Sequence, residues 1–148
     1  MEKIDFKIEI EANAENVWDI LFGKDTYPQW TKAFSENSNV ETDWAKGSKA
    51  LFVDGSGQGM VARIEENIPN KYMSIKHLGE LKNGKEEIKN WGDVFENYTL
   101  TEYGATTELK IDMMIISEWK GFFDDTWPKA LEMIKSLAEG NEKKHIET

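Results

Sequence analysis

The chain has 148 residues, enough for one domain with a sizeable core and little more. Its 28 acidic against 18 basic residues give a net charge of -10, which repels phosphate backbones and anionic lipid and so argues against nucleic-acid and membrane partners. Cysteine is absent, which removes disulfides and thiolate metal sites; with no apolar run near the roughly 20 residues of a membrane span, the expectation is a cytoplasmic protein.

The first predicted element is a strand in which Ile4, Phe6, Ile8 and Ile10 alternate with Lys3, Asp5, Lys7 and Glu9, so that one face is apolar. Asn13 is a candidate N-cap for a helix from Ala14 to Phe22 that Gly23 ends, with Val17, Trp18, Leu21 and Phe22 on one face. A second short helix carries Tyr27, Pro28 and Trp30, with Asp25 as its expected cap.

Strand signals then follow at Val40 to Thr42, Ser48 to Asp54 and Gly59 to Glu66. The glycine-rich Asp54 to Gly59 reads as a hairpin turn rather than a phosphate loop, because no Lys-Ser/Thr pair and no helix follow it. Lys71 to Gly79 and Asp93 to Tyr103 are strands, and the polar NGKEE stretch between them is expected to be a mobile loop. A hairpin across Tyr103, Gly104 and Ala105 pairs Leu100 with Leu109, Tyr98 with Ile111, Glu96 with Met113 and Val94 with Ile115. Another, turning at Pro69-Asn70, sets Met60, Ala62 and Ile64 against Met73, Ile75 and His77. Both His77 and Glu96 thereby fall on otherwise apolar inner faces.

The last element is a helix from Trp119 to Glu139, with Pro128 inside it and Trp119, Phe122, Phe123, Trp127, Leu131, Ile134 and Leu137 recurring at three- and four-residue spacing. Residues 140–148 are polar and are expected to form a flexible tail beyond a single domain of residues 1–139. The whole predicts an α+β fold: a curved antiparallel sheet of about seven strands, in the order β-α-α-β6-α, wrapped around a long C-terminal helix.

Two residues are candidates for chemistry. An inward-facing His77 suits a general base or a ligand anchor, and Glu96 beside it has a raised pKa unless partnered. The plainer reading is a core histidine satisfied by a neighbour. Six tryptophans, among them Trp91 and Trp119 near loops and helix ends, suit the rim of an aromatic-walled cavity. One histidine in the folded body gives no three-ligand metal site by the usual spacing, and no nucleophile elbow or nucleotide fingerprint is present, so neither a metal nor a cofactor is expected.

The segments VWDILFGKDTYPQW (Val17 to Trp30), GMVARIEENIPNKYMSIKHLG (Gly59 to Gly79), WGDVFENYTLTE (Trp91 to Glu102) and TWPKALEMIKSLAE (Thr126 to Glu139) resemble the START and birch-pollen-allergen helix-grip superfamily, also called SRPBCC. Within it they look like bacterial members of the branch named after the activator of heat-shock protein 90 ATPase. The resemblance implies a cavity between sheet and C-terminal helix that often takes a hydrophobic molecule; some members are polyketide cyclases or aromatases and others carriers. The leading expectation is a non-enzymatic binding module for a hydrophobic or aromatic small molecule. Its expected aromatic walls are Trp30, Phe52, Tyr98, Phe123 and Trp127, its apolar contacts Met73, Ile75 and Met113, and its polar contact His77. Two alternatives stay open: a cyclase- or hydrolase-like enzyme using His77 or Glu96, and an interaction protein that assists a chaperone through its acidic surface. Aromatic edges at helix ends also suit a homodimer.

Overall fold

The computed structural model describes the backbone of residues 1–147 and the side chains of residues 1–140. In chain order the elements are β1 (Glu2–Ile10), α1 (Ala14–Phe22), α2 (Tyr27–Thr31), β2 (Asn39–Glu41), β3 (Lys49–Val53), β4 (Gly59–Ile68), β5 (Tyr72–Lys82), β6 (Lys85–Ile88), β7 (Phe95–Tyr103), β8 (Thr106–Ile115) and α3 (Lys120–Glu147), with a 3-10 turn at Ser117–Trp119 before α3. All strand pairs are antiparallel, in the order β1-β8-β7-β5-β4-β3-β2, with β6 paired to β5. No described helix is long and apolar enough to cross a membrane.

The sheet is one-faced for the reason its alternation gives. β1 pairs with β8 so that Ile4 meets Met113, Phe6 meets Ile111 and Ile8 meets Leu109, and this apolar face turns toward α3. There Trp127, Ala130, Leu131, Ile134 and Ala138 are buried. Asn13 caps α1 as its side chain accepts the Asn16 N–H at 2.8 Å, and the Asn16 amide in turn donates to the Ala138 carbonyl at 2.9 Å, tying α1 to α3. Pro128 lies inside α3.

The hairpin at Gly104-Ala105 has the expected register through Glu96 and Met113. On the β4–β5 hairpin Ala62 opposes His77 and Ile64 opposes Ile75, but Met60 meets Glu80 and Met73 meets Asn67. Two bulges account for the difference: Leu78 is extra on β5 and Glu65 is extra on β4. Each bulge bends its strand and increases local twist, which curves the sheet around α3.

Three expectations need correction. The NGKEE stretch is a hairpin, not a loop: Asn83 and Gly84 both take positive φ (52° and 77°), the geometry of a two-residue turn that matches strand twist, and β6 pairs back on β5 from Lys82–Lys85 to Gly79–Ile88. The sheet therefore has eight strands. Thr26, not Asp25, is the N-cap of α2, and its side chain does not cap the helix N–H groups. Trp119 and Phe122 are 54% and 42% exposed, because they precede the turn at which α3 meets the sheet. The tail expected over residues 140–148 lies, beyond Gly140, outside the residues whose side chains are described.

Candidate functional site

Between the concave face of the sheet, α2 and the first turns of α3 lies an open cavity of about 380 Å³. Its position follows from the sequence of packing. Further along α3, Leu131 and Ile134 fill the space against the sheet and are buried; nearer the start of the helix, the sheet has curved away and flat aromatic side chains leave room between them.

Trp127 forms one wall. It is 2% exposed, meets Phe34 edge-on at 4.8 Å between ring centres and lies 5.9 Å from Trp30. Its indole N–H donates to the Met113 sulfur at 3.3 Å, and that of Trp30 donates to the Leu21 carbonyl at 3.1 Å. Both rings are thus fixed from behind and present a rigid surface.

The polar end is built by β5 and β7. Ile75 opposes Glu96 across the two strands, and the His77 N–H bonds to the Val94 carbonyl at 2.8 Å. His77 and Glu96 are therefore diagonal neighbours on the inner face, and His77 Nε2 sits 2.9 Å from Glu96 Oε1. The Tyr98 hydroxyl donates to the other carboxylate oxygen, Oε2. Side-chain exposure is 10% for His77 and 13% for Glu96.

Burial pushes the Glu96 carboxyl up, but the hydrogen bond and charge of His77 and the Tyr98 hydroxyl outweigh it, and the group is held below its ordinary value of 4.5. Glu96 is thus an ionised carboxylate inside the protein. Burial and the Glu96 charge push the Tyr98 phenol well above its ordinary value, and the same two causes act on Tyr27, on the adjoining wall. Both phenols stay protonated. With Nε2 occupied by Glu96, His77 keeps Nδ1, which is buried and has no hydrogen-bond partner among the described residues. The arrangement can orient a polar ligand group or hold an imidazole in one tautomer.

Of the residues singled out from the sequence, Trp30, Phe52, Trp91, Tyr98, Met113, Trp119, Phe123 and Trp127 line the cavity, and His77 and Glu96 form its polar end. Met73 is fully buried and borders a separate cleft of about 310 Å³ with Trp18, Phe22 and Trp44. Ile75 is also buried and borders neither space; it packs between Ile64 and Glu96 at the centre of the sheet. Sequence reasoning missed Tyr27 and Phe34. Their spacing with Trp30 and Thr31 (i, i+3, i+4, i+7) marks one helical face, and that signal points to all four as lining residues.

The comparisons agree with this architecture. The family model described as Activator of Hsp90 ATPase homolog 1-like protein matches residues 11–139. No curated protein matches the sequence. Among solved structures, the Aha1 dimer from Colwellia psychrerythraea is similar at 20% identity and TM-score 0.72, over 94% of this chain and 97% of that one. MLL2253 from Mesorhizobium loti is similar at 16% identity and TM-score 0.73, over 93% and 97%. DynU16, from the dynemicin biosynthetic locus, is similar at 14% identity and TM-score 0.71; this chain is covered over 94% of its length and spans 48% of DynU16. At these identities the likeness is one of fold.

Proposed function

The chain belongs to the Activator of Hsp90 ATPase homolog 1-like family, and from that premise we propose that it binds a hydrophobic or aromatic small molecule between the sheet and α3. One observation carries the reading: an apolar cavity of about 380 Å³ that ends on the hydrogen-bonded His77–Glu96 pair. This volume lies within the usual range of small-molecule sites, as does the pattern of apolar walls with few convergent polar groups. A core selected for stability alone gains by filling such a space, since every void forfeits packing contacts. The Glu96–His77 pair would fix the ligand's orientation.

Native mass spectrometry of the purified protein, before and after organic extraction, tests the proposal. The expected result is a discrete adduct that extraction removes and that returns on incubation with an apolar compound. Protein that is bare before extraction and takes up no apolar compound afterwards would refute it.

The proposal also takes the protein as cytoplasmic, on its cysteine-free composition, and the exposed Trp119 and Phe122 suit a homodimer contact.

A further inference from the structure

Among the described residues, the charged side chains that line the cavity are two carboxylates, Glu80 and Glu96, and one imidazole, His77, with no lysine or arginine; Met1, which carries the terminal amino group, also lines it, at the β1 edge of the sheet two strands from Glu96. Glu80 stands nearer the surface, where Lys82 approaches it at 3.2 Å. Glu96 lies deeper, and the imidazole beside it is His77, whose Nε2 it already occupies. The other imidazole nitrogen is shut away from the cavity surface, with no accessible area to receive a ligand. A carboxylate entering this end would thus meet an ionised carboxylate without a free cationic donor between them.

A hydrogen-bond donor meets the opposite situation. A carboxylate offers roughly four acceptor positions, and the described residues fill two of those on Glu96, one from His77 and one from Tyr98. Glu96 lines the cavity, so further acceptor capacity stands at its polar end. The Tyr27 hydroxyl on the adjoining wall adds a group that both accepts and donates. The net charge of -10 also biases the surroundings against anions.

From this arrangement, and resting on the ligand-binding reading above, we infer that the cavity selects apolar or aromatic molecules that carry a hydroxyl or amine, that Glu96 accepts this donor, and that the same carboxylate rejects fatty-acid-like and other carboxylate ligands. Glu96 is then the specificity-determining residue, and the aromatic walls supply contact area without choosing between head groups.

Three compounds with one skeleton test this: 2-(1-naphthyl)ethanol, 2-(1-naphthyl)ethylamine and 1-naphthaleneacetate, each titrated calorimetrically into the full chain at neutral pH and low salt. The expected result is that the alcohol and the amine bind at least about tenfold more tightly than the acid, since opposing like charges in a buried site is strongly unfavourable. Glu96→Gln, which keeps the shape and removes the charge, should reduce that ratio to within about threefold of unity by weakening the amine and admitting the acid. Acid binding as tight as the alcohol in the unmodified chain overturns the inference and leaves the cavity reading standing. Failure of all three to bind overturns the cavity reading and the inference with it. The unmodified chain decides both outcomes, so the test holds even if Glu96→Gln does not fold.

Discussion

Replacing His77 by leucine removes the partner of a carboxylate that is largely withdrawn from bulk water. The two side chains are 10% and 13% exposed and 2.9 Å apart, and after the change Tyr98 is the remaining donor to Glu96. Leucine is apolar and fills much of the imidazole's space beside Phe52, whose ring lies 5.8 Å away, so the loss is chiefly electrostatic. Breaking one side of a buried pair costs about 3–5 kcal/mol. At about 2–4 °C per kcal/mol for a domain of this size, Tm should fall by roughly 6–20 °C. The pH dependence gives a sharper check. In the unmodified protein the Glu96 carboxyl is held below its ordinary 4.5, so its stabilising contribution is full above that value and is lost as the pH falls through the folded value. In His77→Leu burial is opposed by Tyr98 alone and the carboxyl moves above its ordinary value; its penalty is absent below 4.5 and grows as the pH rises through the new value. Urea unfolding at pH 7 and at the ordinary value of 4.5 should therefore show a gap between the two proteins that is widest at pH 7 and narrows on acidification. Replacing Glu96 by leucine as well should recover most of the loss. A gap under about 1 kcal/mol at pH 7, or one that does not change with pH, would refute the reasoning.

Tyr98→Phe removes the hydroxyl that bonds the ionised Glu96 and should cost about 1.5–3 kcal/mol in the same urea assay. A Cβ at Gly79 would stand 2.1 Å from the Glu87 carbonyl oxygen, so Gly79→Ala should push β6 off β5, speed amide exchange on both strands and lower stability by about 1–3 kcal/mol. Asn13→Ala deletes the α1 cap and should cost about 1 kcal/mol by thermal unfolding.

Much of the polar end was legible because strand parity survives local irregularity. Tyr103-Gly104-Ala105 fixes the β7–β8 register, and that register alone turns Glu96 inward. The bulges at Leu78 and Glu65 fall on either side of the stretch where Ala62 opposes His77 and Ile64 opposes Ile75, so His77 keeps its face. Parity gives a face and not a depth, which is why Met73 and Ile75 were expected on the cavity and are instead buried behind it. β6 was hidden by its composition: Lys85, Glu86, Glu87 and Ile88 are all exposed and have no one-sided pattern, although the Asn83-Gly84 dipeptide before them is a strong hairpin signal. Trp119 and Phe122 continue the spacing of α3, but periodicity does not say where close packing begins, and both rings are half-exposed, Trp119 on the cavity wall.

The central claim is that an apolar ligand occupies this particular cavity, and the methionines of the chain report on it directly. Met60, Met113 and Met114 line the cavity, Met73 borders the separate cleft, and Met133 is 44% exposed on α3. With methyl-13C-methionine protein titrated with 2-(1-naphthyl)ethanol, the methyl signals of Met60, Met113 and Met114 should shift together and saturate, while those of Met73 and Met133 stay in place. Shifts confined to Met73, or no saturable shift at any of Met60, Met113 and Met114, would contradict the account.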